Sequence, residues 1–194
     1  MSPLEITAAV FGAVAVYLAA RENIWSWPTA IVNVSLYTIV FFQSRLYADM
    51  GLQVVYLVLS IYGWYNWLHG GSQRSTLHVT RASARLLLGL VAFIVIASYA
   101  LGATLATQTN AALPYLDSAL TVTSLGAQWL MTRKILENWL LWIAVDIVYV
   151  PMFLSRGLPA TAVLYAVFLV LAVLGFVEWR RSYSRQLTEN LATA

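Results

Sequence analysis

Seven long apolar blocks, at roughly 4–20, 27–43, 47–68, 84–105, 114–132, 137–154 and 158–178, alternate along the chain with short polar breaks. The breaks are Arg21-Glu22-Asn23, Ser44-Arg45, the run from His69 to Arg81, Gln108-Thr109-Asn110, Arg133-Lys134 and Ser155-Arg156-Gly157. About 20 apolar residues in a helix cover the hydrocarbon core of a bilayer, so the pattern predicts seven transmembrane helices and an all-α integral membrane protein. Pro28 and Pro159 stand at block starts, where a missing backbone donor costs nothing. Pro151 stands inside the sixth block, where it should kink the helix just after Asp146 and Tyr149.

Polar residues inside the blocks fall at helical spacing. In the sixth, Asn138, Trp142, Asp146 and Tyr149 stack along one side of a helix, with Trp139 beside them. The third block carries Gln53, Tyr56 and Ser60 with Asp49 one turn earlier, the fifth carries Thr121, Ser124 and Gln128 with Thr123 alongside, and the second carries Asn33 and Tyr37. Any one stripe can serve as glue between helices, at about 0.6–2 kcal/mol per hydrogen bond. Four stripes exceed what seven short helices need for packing, and the excess points to a polar, aromatic-lined cavity. Asp146 is the costly residue. An acid in a membrane helix normally faces a bundle interior or water, and three roles stay open for it: ligand contact, a helix–helix hydrogen bond, or proton coupling.

The layout also repeats. At an offset of 115, Asn23 falls on Asn138, Trp27 on Trp142 and Trp64 on Trp179, while Ser44-Arg45 recurs as Ser155-Arg156 at 111. Helices one to three and five to seven then form two copies of a three-helix unit. Because four helices separate equivalent ones, the copies enter the membrane in the same direction. The expected divisions are a first bundle (1–68), a loop and linker helix (69–105), a second bundle (106–179) and a polar tail (180–194).

Composition narrows the chemistry. At 61% hydrophobic and 10% charged residues, the 194-residue chain lies far from soluble averages. Without cysteine it has neither disulfides nor thiolate metal sites, and its two histidines, His69 and His78, share one loop, so no catalytic constellation, metal or cofactor is expected. The basic residues lie in breaks and at the C-terminal end. Nine of them (Arg21, Arg74, Arg81, Arg85, Arg133, Lys134, Arg180, Arg181, Arg185) fall on one face against Arg45 and Arg156 on the other. This charge bias puts the C-terminus in the cytoplasm and the N-terminus outside, and argues against nucleic acid as a partner. Met1 to Glu5 lack the positive start of a cleavable leader, so the first block is expected to stay as a helix. Trp25, Trp27, Trp64, Trp67, Trp139 and Trp179 fall near block ends, where an aromatic belt at the membrane surface is expected. Amides, hydroxyls, aromatic faces and one carboxylate suit a flat ring, cationic if charged, attached to a sugar. A phosphate would find no arginine or lysine inside the blocks except Arg85, at the very start of the fourth.

Trp27-Pro28-Thr29-Ala30-Ile31, Leu46 to Met50 with Leu52-Gln53-Val54-Val55-Tyr56, Ile61-Tyr62-Gly63-Trp64, Thr121 to Ser124 with Ala127-Gln128-Trp129, and Glu137-Asn138-Trp139-x-x-Trp142-x-x-x-Asp146 together resemble the PnuC family of bacterial vitamin transporters. The resemblance covers about Asn23 to Trp179. It implies facilitated diffusion of nicotinamide riboside, trapped afterwards by cytoplasmic phosphorylation for NAD biosynthesis. It also implies an inner-membrane homotrimer with the 3+1+3 architecture of SWEET sugar transporters. The family's Trp-x-x-Trp/Phe-x-x-x-Asn/Asp signature falls on Trp139, Trp142 and Asp146, and its Leu-Gln-x-x-Tyr element on Leu52, Gln53 and Tyr56, with ring stacking and polar capture as the implied roles. Asp146 stands where the signature also permits Asn, and the first repeat lacks a clean copy, since Asn33 follows Trp27 by six residues. Related members accept thiamine, riboflavin or deoxynucleosides, so the resemblance leaves the choice of substrate among these open. The residues are also compatible with a proton-coupled symporter and, less readily, with a non-transporting membrane scaffold.

Overall fold

The computed structural model describes residues 3–109 and 113–192; Met1, Ser2 and Asn110 of the expected first turn and fourth break lie outside them. Seven α-helices follow one another: α1 (Pro3–Ala20), α2 (Ser26–Gln43), α3 (Tyr47–His69), α4 (Ala84–Gln108), α5 (Pro114–Thr132), α6 (Asn138–Ser155) and α7 (Pro159–Ala192). Pro3, Pro114 and Pro159 each open a helix, where the missing amide hydrogen has no carbonyl to reach. The Ser83 hydroxyl caps α4 by accepting from the Leu86 amide. By length and composition α1, α4, α6 and α7 can each cross a membrane. The remaining three are the ones diluted by the polar stripes of α2, α3 and α5.

Helices α1, α2 and α3 pack together, as do α5, α6 and α7, and the two units meet where α1 touches α7 and α3 touches α5. Helix α4 lies on α5. It seats Leu90 and Ile94 over Gly126, and its own Gly102 lies under Tyr115. Most of its other side chains, including Leu88, Val91, Phe93, Val95, Ile96 and Tyr99, face outward, as suits a linker bathed in lipid. Helix α7 continues past Trp179 to Ala192, so the segment expected as a polar tail is helical over its described length.

The two units match in a different register from the one expected: adding 112 to a residue number in the first unit gives its partner in the second. Trp27 corresponds to Trp139, Gly63 to Gly175 and Trp67 to Trp179. The backbone carries the same register, with left-handed residues at Glu22 and Lys134 (φ 55° and 54°) and at Arg45 and Gly157 (φ 58° and 71°). These left-handed turns end α1, α5, α2 and α6 in the same way. The sequence offset of 115 pairs Trp27 with Trp142 because Asn23 and Asn138 share a letter.

Tryptophan placement is corrected too. Trp25 and Trp64 are exposed, but Trp27, Trp67, Trp139 and Trp179 are buried in one cluster and form no surface belt. Trp27 meets Trp67 edge-on with ring centroids 5.3 Å apart, Trp139 meets Trp179 edge-on at 5.4 Å, and Trp67 lies 5.7 Å from Trp179 across the units. Glycine makes this possible. A Cβ at Gly63 would run into the Trp27 ring, and one at Gly175 into the Trp139 ring. The cluster closes one end of the bundle, where the loop after α3 pairs with the turn after α5 through Thr80 and Ile135.

Candidate functional site

Between the tryptophan cluster and the opposite end, the polar stripes converge. Tyr56 on α3 donates its hydroxyl hydrogen to Ser124 Oγ on α5 at 2.9 Å, and Ser124 donates onward to the Thr121 carbonyl at 3.0 Å. This is a side-chain hydrogen bond between the two units. On α6, Asp146 is 3% exposed, and among the described residues no side chain or backbone group hydrogen-bonds its carboxyl. Tyr149, one turn on, packs against Phe153 and against Tyr165 of α7, with ring centroids at 5.4 and 4.7 Å. The α6 helix runs unbroken through Pro151, so the carbonyl one turn before it lacks its usual donor.

Other residues expected at the site divide by use. Asn33 donates its amide hydrogen to the Ala8 carbonyl at 2.6 Å and ties α2 to α1; Tyr37 stacks on Phe41 at 5.8 Å. Asn138 is fully buried and donates to the Ile135 carbonyl at 2.7 Å, leaving its Oδ1 unpaired. Trp139 belongs to the tryptophan cluster, while Trp142 borders it, half-buried. The indole N–H groups of Trp139 and Trp142 and the Ser60 hydroxyl are buried without a partner. Gln53, Thr121, Thr123 and Gln128 are half-buried or buried. Buried polar atoms are nearly always satisfied, so the orphan groups of Asn138, Trp142 and Ser60, unpaired among the described residues, are free to bond a ligand.

Tyr165 carries no signal of its own in the sequence. In the register of 112 it is the counterpart of Gln53, as Phe168 is of Tyr56, and Tyr37 with Phe41 is repeated by Tyr149 with Phe153. The correct repeat would have pointed to it. The polar cluster itself holds one carboxyl, several phenols, amides and hydroxyls, and no arginine or lysine. The cations nearest in sequence, Lys134 and Arg156, are engaged at the two ends of the bundle, Lys134 with Glu22 at 2.8 Å and Arg156 with Asp117 at 3.7 Å. Grooves of about 640 and 330 Å³ run along the α7 extension past Arg180 and Ser184, away from this cluster.

Two like-oriented three-helix units around a buried polar centre, joined by a lipid-facing helix, make this a multi-pass membrane transporter. A family model described as "Nicotinamide mononucleotide transporter" matches residues 2–181. The nicotinamide riboside transporter PnuC of Escherichia coli (strain K12) is 31% identical over 94% of this chain and 87% of its own length. The riboflavin/roseoflavin transporter RibM of Streptomyces davaonensis is 25% identical over 88% of this chain and 81% of its own length. A crystal structure of the vitamin B3 transporter PnuC matches with a TM-score of 0.74 and 28% identity, covering 94% of this chain and 82% of that one. The chain belongs to the PnuC family of membrane transporters.

Proposed function

We propose that this protein carries nicotinamide riboside across the bacterial inner membrane by facilitated diffusion, the substrate being trapped by phosphorylation in the cytoplasm. The observation that carries the reading is Asp146, buried and, among the described residues, with neither a hydrogen-bond nor an ion-pair partner, one turn before the Tyr149 that packs on Tyr165. A carboxyl in that setting favours a positively charged pyridinium ring and disfavours a phosphate. Trp142 offers a face for the ring and an unpaired N–H, and Gln53, Gln128 and Thr121 offer partners for ribose hydroxyls. Asn33, Tyr37, Asn138, Trp139 and Ser60 support this shell. Units 1–68 and 106–179 rock about the site, the linker of 69–105 joins them, the polar tail (180–194) faces the cytoplasm with the basic end, and three copies assemble.

Family and relatives name a mononucleotide, a riboside and a flavin, so substrate choice is the decisive test. In proteoliposomes, labelled nicotinamide riboside is expected to equilibrate, while its 5′-phosphate, thiamine and riboflavin stay outside. Entry of the phosphate ester, or of riboflavin in preference to the riboside, would overturn the proposal.

A further inference from the structure

Apart from the Tyr56–Ser124 bond, the side-chain bonds between the two units gather at one end. Trp67 of the first unit donates its indole hydrogen to the Met131 carbonyl of the second, and Trp179 of the second donates to the Ala19 carbonyl of the first, both at 2.9 Å. Residues 67 and 179 are counterparts, and so are 19 and 131: this is one bond made twice, each unit clasping the other. Glu22 and Lys134, also counterparts, form an ion pair at 2.8 Å with side chains only 22% and 11% exposed, so water screens it poorly. Both sit in the left-handed conformation that side chains rarely adopt. Lys134 further caps the Leu77 carbonyl at 3.0 Å and lies over the Trp67 ring at 4.8 Å. Asn66 reaches across to the Thr132 carbonyl at 2.8 Å, and Arg21 to Glu178 at 3.8 Å. At the opposite end the Asp117–Arg156 pair stays within the second unit.

We propose that this reciprocal tryptophan clasp and its Glu22–Lys134 pair form the gate at the basic end of the transporter, closed in this structure, and that breaking it opens the site toward that side. The inference rests on the rocking of two units proposed above. Neutral hydrogen bonds of this kind and a pair of two adjacent charges are too weak to be permanent staples but strong enough to set a population. The two-fold relation makes a sharp statement. Trp67→Phe and Trp179→Phe, which keep the ring and remove only the donor, should act equally. Each should shift the equilibrium toward opening by about two- to tenfold, the factor that one net hydrogen bond represents. Charge reversal at both positions, Glu22→Lys with Lys134→Glu, should restore the pair, because the symmetry that places Lys134 over Trp67 places residue 22 beside Trp179.

The chain has no cysteine, so a single introduced thiol reports alone. Val34→Cys, at a position 7% exposed that is the counterpart of Asp146 in the register of 112, is labelled with a membrane-impermeant maleimide in right-side-out and inside-out vesicles, after confirming that it still transports nicotinamide riboside. An exposed Ser184→Cys identifies the side that bears the α7 extension. Expected is faster labelling from that side for either Trp→Phe variant, for Glu22→Gln and for Lys134→Met, slower or unchanged labelling from the other side, and return to the starting rates in the charge-reversed double variant. Faster labelling from both sides, or no rescue on charge reversal, would overturn the gate and leave a purely structural cluster. If nicotinamide riboside itself changes the sided labelling while these variants do not, rocking stands and the gate lies elsewhere. If nothing changes the sidedness, the rocking reading fails and the gate with it.

Discussion

Asp146 concentrates the chemistry of the site in one side chain. It is buried, and its carboxyl has no hydrogen-bond partner among the described residues; one turn on, Tyr149 packs against Tyr165 of α7. Bringing a carboxyl into such surroundings costs free energy that only a bound partner returns, so Asp146→Leu should leave the protein as stable or more so while weakening riboside binding by about 5- to 150-fold, the worth of one buried polar partner. Asp146→Asn keeps the hydrogen bond and loses only the charge, and should fall between the two. Trp142→Ala should cost about 2- to 30-fold through loss of a face for the cationic ring. Calorimetry on detergent-solubilised protein checks all three, and equal affinities for Asp, Asn and Leu at position 146 would remove the residue from the site. The anomaly of an acid within an apolar block was legible from the sequence alone. Tyr165 was not, because a tyrosine in an apolar helix carries no signal until its partner in the other unit is known.

At the scale of elements, the helices were readable because apolar runs of about 20 residues have few other uses, and each observed helix overlaps its expected block. What the letters concealed was the register between units. Asn23 and Asn138 attract an alignment of identical residues, whereas the register of 112 is carried by conformation and by notches: positive φ at Glu22 and Lys134, and glycines at 63 and 175 that admit tryptophan rings. The same cause misplaced the tryptophans. A residue near a helix end reads as a membrane-surface anchor unless the glycine that receives it is known to face it. The notches can be tested directly. Gly63→Ala and Gly175→Ala should each destabilise the protein by about 1–3 kcal/mol through overpacking. Gly51→Ala and Gly89→Ala, where an added methyl meets nothing within 4 Å, should be neutral or stabilise by about 0.5–1 kcal/mol, as expected for alanine over glycine in a helix. Thermal unfolding in detergent ranks the four, and equal losses at all four would show that the tryptophan seats contribute nothing.

For the molecule as a whole, the points at which the two units differ bear on energetics as well as motion. A carrier with no second coupled ion, whatever the symmetry of its halves, can only bring its substrate to equal electrochemical potential on both sides. The structure offers one candidate for coupling, the Asp146 carboxyl, and no counterpart to it: the equivalent position in the first unit is Val34, an aliphatic residue buried like Asp146. A carboxyl used to carry a proton must lose and regain it in each cycle, so Asp146→Asn would abolish accumulation driven by a pH gradient. A carboxyl used to hold a cationic ring need not titrate at all. Proteoliposomes loaded to hold a pH difference across the membrane separate the two. Expected, with the membrane potential held at zero, is that nicotinamide riboside reaches the same concentration inside as outside, whichever side is acid, that collapsing the pH gradient changes neither the end point nor the initial rate, and that Asp146→Asn slows entry without altering the end point. Accumulation above the external concentration that follows the acid side and disappears in Asp146→Asn would instead make the protein a proton symporter, with Asp146 as its carrier group.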